Sequence, residues 1–85
     1  MYKILFKESA RKEFYSLPQK ALIKISGVID NLQQNPRPAG VKKLKGQSHP
    51  LYRIRIGDYR IVYSIDDSVH IVNITRVGHR KDIYD

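Results

Sequence analysis

The stretch Leu51-Tyr-Arg-Ile-Arg-Ile-Gly-Asp-Tyr-Arg-Ile-Val-Tyr63 decides the fold, because it predicts two β-strands joined by a tight turn. Apolar and basic residues alternate on both sides of the Gly57-Asp58 pair, with the period of two expected of strands that bury one face. Glycine at the first central position of a two-residue loop is typical of a type II′ hairpin. This turn pairs Ile56 with Tyr59, and we expect the tyrosines and isoleucines to face the core.

In this register three arginines share the other face of the hairpin. Arg55 lies opposite Arg60, and Arg53 follows on the same side of its strand. Like charges directly opposite each other destabilise a β-ladder, so a sequence that keeps such a pair is expected to use it. A guanidinium presents a planar fork of donors that matches a phosphate. We predict that the trio binds a phosphodiester; the alternative is a solvated face whose long side chains shield the sheet.

The rest of the chain predicts further elements around the hairpin. In chain order they are a strand over 2–7, a helix over 8–17, a second helix over about 18–34 and a last strand over 69–77. Pro18 separates the helices, Gly27 is expected to mark close packing, and Gly78 is expected to break the last strand. The predicted fold class is α+β with the order β-α-α-β-β-β: one antiparallel sheet with two helices on one face, in a single domain over 1–85.

Charge and composition narrow the classes of partner. The 85 residues carry 16 Lys and Arg against 8 Asp and Glu, a net charge of +8. Between residues 37 and 60 the excess is concentrated, with Asp58 as the sole acidic residue. We therefore expect a nucleic acid partner, or next an acidic protein, rather than a surface that is merely solubilising.

Several classes of protein are excluded on composition. The chain has no cysteine, so disulfide scaffolds, thiol catalysis and Cys-ligated zinc do not apply. It has no apolar run long enough to span a membrane and no secretory signal pattern, so we expect a cytoplasmic protein. The histidines are too dispersed for a metal site and the carboxylates lack the ligand set of a two-metal nuclease, so no metal or cofactor is expected.

Other residues extend the candidate site. Arg80 lies in the basic tail beside the last strand, and Tyr84 could stack on a base or fold back onto the core. His79 is a candidate proton donor, because histidine titrates near neutral pH without a shift. The candidate nucleic-acid-binding residues are Lys42, Lys43, Lys45, Arg76 and Lys81.

The hairpin sequence, together with Gly46 before it and Arg76-Val-Gly-His-Arg-Lys-Asp-Ile-Tyr84 after it, resembles the RelE/ParE superfamily of toxins from type II toxin–antitoxin systems. The resemblance covers essentially the whole chain. It implies one of two activities: RelE-type members are ribosome-dependent endoribonucleases that cut mRNA in the ribosomal A site, whereas ParE-type members inhibit DNA gyrase. The basic residues and the C-terminal tyrosine favour the RelE type. A gyrase inhibitor and a catalytically inactive binding module remain as alternatives.

The resemblance also implies roles for individual residues. Arg53 and Arg55 fall where RelE has two lysines, Arg60 and Arg80 fall on family arginines, and Tyr84 falls on the tyrosine that stacks against the nucleotide. The implied reaction is attack of a ribose 2′-hydroxyl on the adjacent phosphate. In RelE the lysine at the position of Arg55 is assigned as general base, and arginine cannot take that role because it stays protonated. We expect Arg55 to stabilise charge and leave the base unassigned.

The resemblance further implies a protein partner. Antitoxins of this superfamily are acidic, partly disordered chains that wrap the toxin. We expect the apolar helix surface and a free sheet edge to receive such a chain by helix docking and strand addition.

Overall fold

The computed structural model describes residues 1–46 and 49–81 and confirms the α+β class with two helices. In chain order the elements are β1 (Lys3–Phe6), α1 (Glu8–Tyr15), α2 (Gln19–Leu32), β2 (Lys42–Lys43), β3 (Tyr52–Ile56), β4 (Tyr59–Asp66) and β5 (Ile71–His79). Pro18 caps the N-terminus of α2, where its fixed φ fits and its missing N–H costs no hydrogen bond.

The strands form one sheet in the order β1-β5-β4-β3-β2. Two features correct the predicted all-antiparallel sheet. First, β1 runs parallel to β5, which is possible because the intervening helices and strands return the chain to the same end of the sheet. Second, the basic connector contributes β2, which pairs with β3. Its two lysines carry no apolar alternation that would predict a strand.

The hairpin has the predicted register. Ile56 pairs with Tyr59, and Arg55 with Arg60. Gly57 has a φ of 58°, which the first central position of a type II′ turn requires and which a glycine adopts without strain.

A β-bulge interrupts the pairing of β4 with β5. Tyr63 pairs with Ile74 but Val62 pairs with Arg76, so Thr75 is the extra residue. The Thr75 hydroxyl donates to the Val62 carbonyl at 3.1 Å. Beyond the bulge β5 continues through Gly78, which pairs with Arg60, so the prediction that Gly78 breaks this strand is wrong. The ladder to β4 holds the glycine in the strand although glycine alone weakens one.

The core lies between the two helices and one face of the sheet. Ala10 and Phe14 of α1 and Ile25, Ile29 and Leu32 of α2 are buried in it. The sheet contributes Ile54, Ile56, Ile61, Tyr63, Val72, Ile74 and Val77. This confirms that the isoleucines and Tyr63 face inward. The expectation for Gly27 is wrong: it is exposed, and a Cβ added there would have no neighbour within 4 Å.

Candidate nucleic-acid interface

The sheet face opposite the helices, called the open face below, carries the basic residues in rows across the strands. Residues paired across neighbouring strands point to the same face of a sheet. One row runs Arg55, Arg60, Gly78 and the next runs Lys42, Arg53, Val62, Arg76. Since Ile54, Ile56 and Ile61 face the helices, the three hairpin arginines face away from them. The structure therefore brings Arg53, Arg55 and Arg60 together on one face.

The three arginines differ in exposure. Arg53 is 5 % exposed, Arg60 is half-buried and Arg55 is exposed. Burial lowers the pKa of the Arg53 guanidinium, and the charges of Arg55 and Arg60 lower it further. The positive charges of Arg55 and Arg60 affect the pKa of Arg53 because the three guanidinium groups lie close together. Of the three, Arg55 is the most open to an approaching anion, Arg60 is partly covered, and Arg53 adds positive charge from the next row.

Arg80 lies at the hairpin end of this face. Its backbone N–H donates to the carbonyl of Asp58 at 2.7 Å, and its Nε lies 3.8 Å from the Asp58 carboxylate. Its side chain is 61 % exposed. An ion pair this long and this exposed holds the guanidinium only weakly. Arg80 can therefore turn toward a ligand bound beside the turn that joins β3 to β4.

His79 lies on the other side of the sheet from the arginines. It pairs with Tyr59, and the two rings contact edge to face at 5.5 Å between centroids. Both residues line a cleft with Leu17 and Pro18 at the junction of the helices. The backbone N–H of Lys81 donates to His79 Nδ1 at 3.1 Å, so that nitrogen is an acceptor. The structure does not bring His79 to the open face.

Arg76 is held at the edge of β5. Its Nε lies 3.1 Å from a carboxylate oxygen of Glu13 on α1. The same carboxylate accepts a hydrogen bond from the backbone N–H of Val77 at 3.1 Å. Glu13 thus binds both the arginine and the strand edge that β1 leaves uncovered. Its importance could not be read from the sequence, where it is one polar residue on a helix.

The lysines of the connector are divided by strand pairing. Lys42 pairs with Arg53 and so extends the open face, whereas Lys43 pairs with Tyr52 on the other side. Lys45 and Lys81 are exposed in bends and turns that follow β2 and β5. Tyr84 lies outside the described residues.

The chemistry available on the open face is that of anion binding. Within 1–46 and 49–81, no three His, Cys, Asp or Glu side chains are grouped so as to hold a metal ion. No helix in that part of the chain is long and apolar enough to cross a membrane. A cationic face with two accessible guanidinium groups can bind a phosphodiester and stabilise negative charge that develops on it.

Comparison with known proteins agrees with the fold described above. A family model described as the ParE toxin of type II toxin–antitoxin systems, parDE, matches residues 4–84. Toxin RelG of Mycobacterium tuberculosis is 34 % identical over 84 residues, which cover 98 % of this chain and 95 % of the relative.

Solved structures are similar over nearly the full chain. The archaeal RelE–RelB complex from Pyrococcus horikoshii matches with a TM-score of 0.81 and 29 % identity, covering 96 % of this chain and 98 % of the other. The isolated Escherichia coli RelE toxin matches with a TM-score of 0.80 and 27 % identity, covering 93 % of this chain and 84 % of the other. Both share the two-helix, mixed-sheet α+β architecture with this chain.

Proposed function

This chain belongs to the RelE/ParE superfamily of toxins from type II toxin–antitoxin systems, and we propose that it is a ribosome-dependent endoribonuclease that cleaves mRNA in the A site and so inhibits translation. The observation that carries the proposal is the pairing of Arg55 with Arg60 on the open face, next to the row that contains the buried Arg53. Two guanidinium groups placed directly opposite each other can both donate to one bound anion. The anion proposed is the scissile phosphate.

The proposed reaction is attack of a ribose 2′-hydroxyl on its own 3′-phosphate. The bond from O2′ to phosphorus forms while the bond from phosphorus to O5′ breaks, which leaves a 2′,3′-cyclic phosphate and a 5′-hydroxyl. The 2′-hydroxyl proton passes to a base that we leave unassigned, and the 5′ oxygen takes up a proton. The requirement for a 2′-hydroxyl explains a choice of RNA over DNA.

Each arginine has a place in this scheme. Arg55 and Arg60 bind the phosphate and stabilise the charge that grows on it, and Arg53 strengthens the local positive field. Arg80, beside the hairpin turn, neutralises the leaving 5′ oxygen. Tyr84 stacks on a base. Arg80 is better placed than His79 for the leaving group, because His79 pairs with Tyr59 on the helix side of the sheet.

The proposed protein partner is an acidic antitoxin. The P. horikoshii structure is a complex of RelE with RelB, and this chain matches its toxin fold closely. A net charge of +8 suits an acidic chain that must cover a cationic surface. Since ribosomes and mRNA are the proposed targets, the proposed location is the cytoplasm.

Mapping of mRNA 5′ ends after induced expression tests the activity. We expect new 5′ ends within translated codons that vanish when translation initiation is blocked beforehand. Loss of those ends in an Arg55→Ala, Arg60→Ala double variant would tie them to the open face. If new ends persist without translation, or none form, the ribosome-dependent nuclease is wrong.

Inhibition of DNA gyrase is the second candidate, because the matching family model is that of the ParE toxin. A supercoiling assay with purified gyrase separates the two functions. Inhibition of supercoiling without mRNA cleavage would replace the nuclease with a gyrase inhibitor.

A further inference from the structure

The open face continues beyond its basic rows into a polar groove. Leu5, Asn73 and Ser64 are paired across β1, β5 and β4 and form the next row. Together with His49 and Pro50 from the segment before β3, they line a groove of about 470 Å³. This groove shares the sheet face of the arginines but contains none of them.

The distance along the strands relates the groove to the proposed phosphate site. Successive rows on one face are two residues apart, and a strand rises about 3.3 Å per residue, so rows lie roughly 7 Å apart. The Ser64 row is therefore about 7 Å from the Arg53 row and about 13 Å from the Arg55 row. These distances between rows are comparable with the spacing of successive nucleotides in an extended single-stranded RNA. An RNA bound over the arginines therefore brings an adjoining nucleotide to the groove.

Charge along the face restricts which part of that nucleotide can enter. The rows of Arg55 and Arg53 are cationic, the row of Ser64 is neutral, and the far wall of the groove includes Asp66 and Asp67. Asp67 is paired with Arg37, and no lysine or arginine is among the described residues that line the groove, so the cations that hold the sugar–phosphate backbone are those of the basic rows. The uncharged base is therefore the part of the RNA that can enter the groove.

The lining has the groups that read a base. Asn73 is exposed and offers an amide donor and acceptor, Ser64 offers a hydroxyl, and His49 an exposed imidazole. Leu5 is 40 % exposed and supplies an apolar surface for the face of a ring. Unstacked RNA bases are recognised by such hydrogen bonds to their edges and by packing of their faces.

We propose that this groove binds an unpaired base of the RNA, one or two nucleotides from the scissile linkage, and that Asn73 and Ser64 set the base preference of cleavage. The inference rests on the proposed nuclease function, since it assigns a second subsite to the same face. Asn73 and Ser64 are specificity-determining residues that contact the substrate away from the reacting atoms.

The test compares cleavage rates on ribosomes programmed with mRNAs that carry each of the four bases at positions flanking the cut. We expect the wild-type protein to prefer one base at one flanking position. Asn73→Ala should reduce the ratio between the best and worst base about tenfold, the discrimination that one good side chain–base contact supplies. Ser64→Ala should reduce it in the same direction, and Asn31→Ala, an exposed amide on α2, should leave it unchanged.

The outcomes separate the subsite from the activity. If the wild-type protein cuts but shows no base preference, or if Asn73→Ala and Ser64→Ala both keep it, the groove is not a base subsite although the nuclease stands. A uniform loss of rate on all four bases in Asn73→Ala also overturns the assignment. If no mRNA is cut while gyrase is inhibited, the proposed function itself fails and the subsite fails with it.

Discussion

The direct opposition of Arg55 and Arg60 is the feature from which the chemistry follows at the scale of single residues. Two guanidinium groups across one ladder position cost up to about 1 kcal/mol of stability relative to a neutral pair. A phosphate between them removes that repulsion and forms charge-assisted hydrogen bonds with both. The pair is thus suited to bind an anion, and in the proposed reaction it would bind a transition state with more negative charge more tightly still.

Truncation of Arg60 or Arg80, which the proposed function assigns to the scissile phosphate and to the leaving 5′ oxygen, should therefore lower the rate of cleavage. We expect Arg60→Ala and Arg80→Ala each to reduce single-turnover cleavage on programmed ribosomes more than about 30-fold, since a lost charge-stabilising donor costs roughly 2–4 kcal/mol. Arg11→Ala, an exposed arginine on α1, is the matched control. Rates near wild type in both variants, with the fold intact by thermal unfolding, would remove these arginines from the mechanism.

The contacts of Asp67 make the stability of the fold depend on pH. Its carboxylate accepts hydrogen bonds from Arg37 at 2.9 and 3.2 Å and from the Tyr2 hydroxyl. These partners, Arg37 first, lower the pKa of Asp67 from 3.8 to about 2. Because the folded-state pKa lies below that of the unfolded chain, the ionised carboxylate stabilises the fold above about pH 4, and this stabilisation is lost as the pH falls toward about 2.

Urea unfolding at a series of pH values measures this effect. The free energy of unfolding should fall between about pH 4 and pH 2, and Asp67→Asn should make that fall shallower. Asp30→Asn, an exposed carboxylate on α2, serves as control. An equally steep fall in the Asp67→Asn variant would show that the contacts with Arg37 and Tyr2 do not persist in solution.

The pairing of Arg55 with Arg60 was predictable because it is local. A two-residue loop fixes the register of a hairpin, and Gly57 identifies the position of that loop in the sequence. The burial of Arg53 was not predictable in the same way. Strand alternation places Arg53 on the open face but does not determine how far that face is covered, and β2, which pairs Lys42 with Arg53, gives no strand signal in the sequence.

Among the secondary-structure elements, β5 has the least predictable side-chain pattern, because the bulge at Thr75 changes which of its residues lie on each face of the sheet. Simple alternation from Val72 and Ile74 would place His79 on the open face. The extra residue reverses the alternation, so that Val77 is buried in the core and His79 pairs with Tyr59. A bulge is set by the strand on either side rather than by the sequence of β5 alone. For the same reason, the parallel pairing of β1 with β5 joins residues too distant in sequence for a local pattern to reveal.

Gly27 in α2 and Gly57 in the turn between β3 and β4 should respond oppositely to substitution by alanine. Gly27 is exposed in the interior of α2 with free space around its Cβ position, so Gly27→Ala should stabilise the protein by about 1 kcal/mol. Gly57 has a φ of 58°, where a side chain is strained, so Gly57→Ala should destabilise it by about 1 kcal/mol or more. Urea unfolding measures both. If the two substitutions changed the free energy of unfolding in the same direction, the backbone conformations described above would be contradicted.

At the scale of the whole molecule, the positive charge is distributed unevenly over the two ends of the sheet. The open face is cationic where β3 and β4 meet at their hairpin, whereas Asp66 and Asp67 lie at the opposite end of β4. Arg37, which belongs to the basic stretch of the sequence, is drawn to that far end by its ion pair with Asp67. A polyanion is therefore steered to one end of one face rather than to the molecule as a whole.

This distribution predicts how binding depends on salt. Each phosphate neutralised by the protein releases counterions, so the logarithm of the association constant falls linearly with the logarithm of salt concentration, by about 0.7 per phosphate for a single strand. With a single-stranded RNA that carries a 2′-O-methyl group at the cleaved position, Arg55→Gln should reduce the magnitude of that slope by about 0.7. Arg11→Gln changes the net charge of +8 by the same amount but lies on α1, so its slope should match that of the wild type. Equal reductions in the two variants would mean that net charge, and not the open face, determines RNA binding.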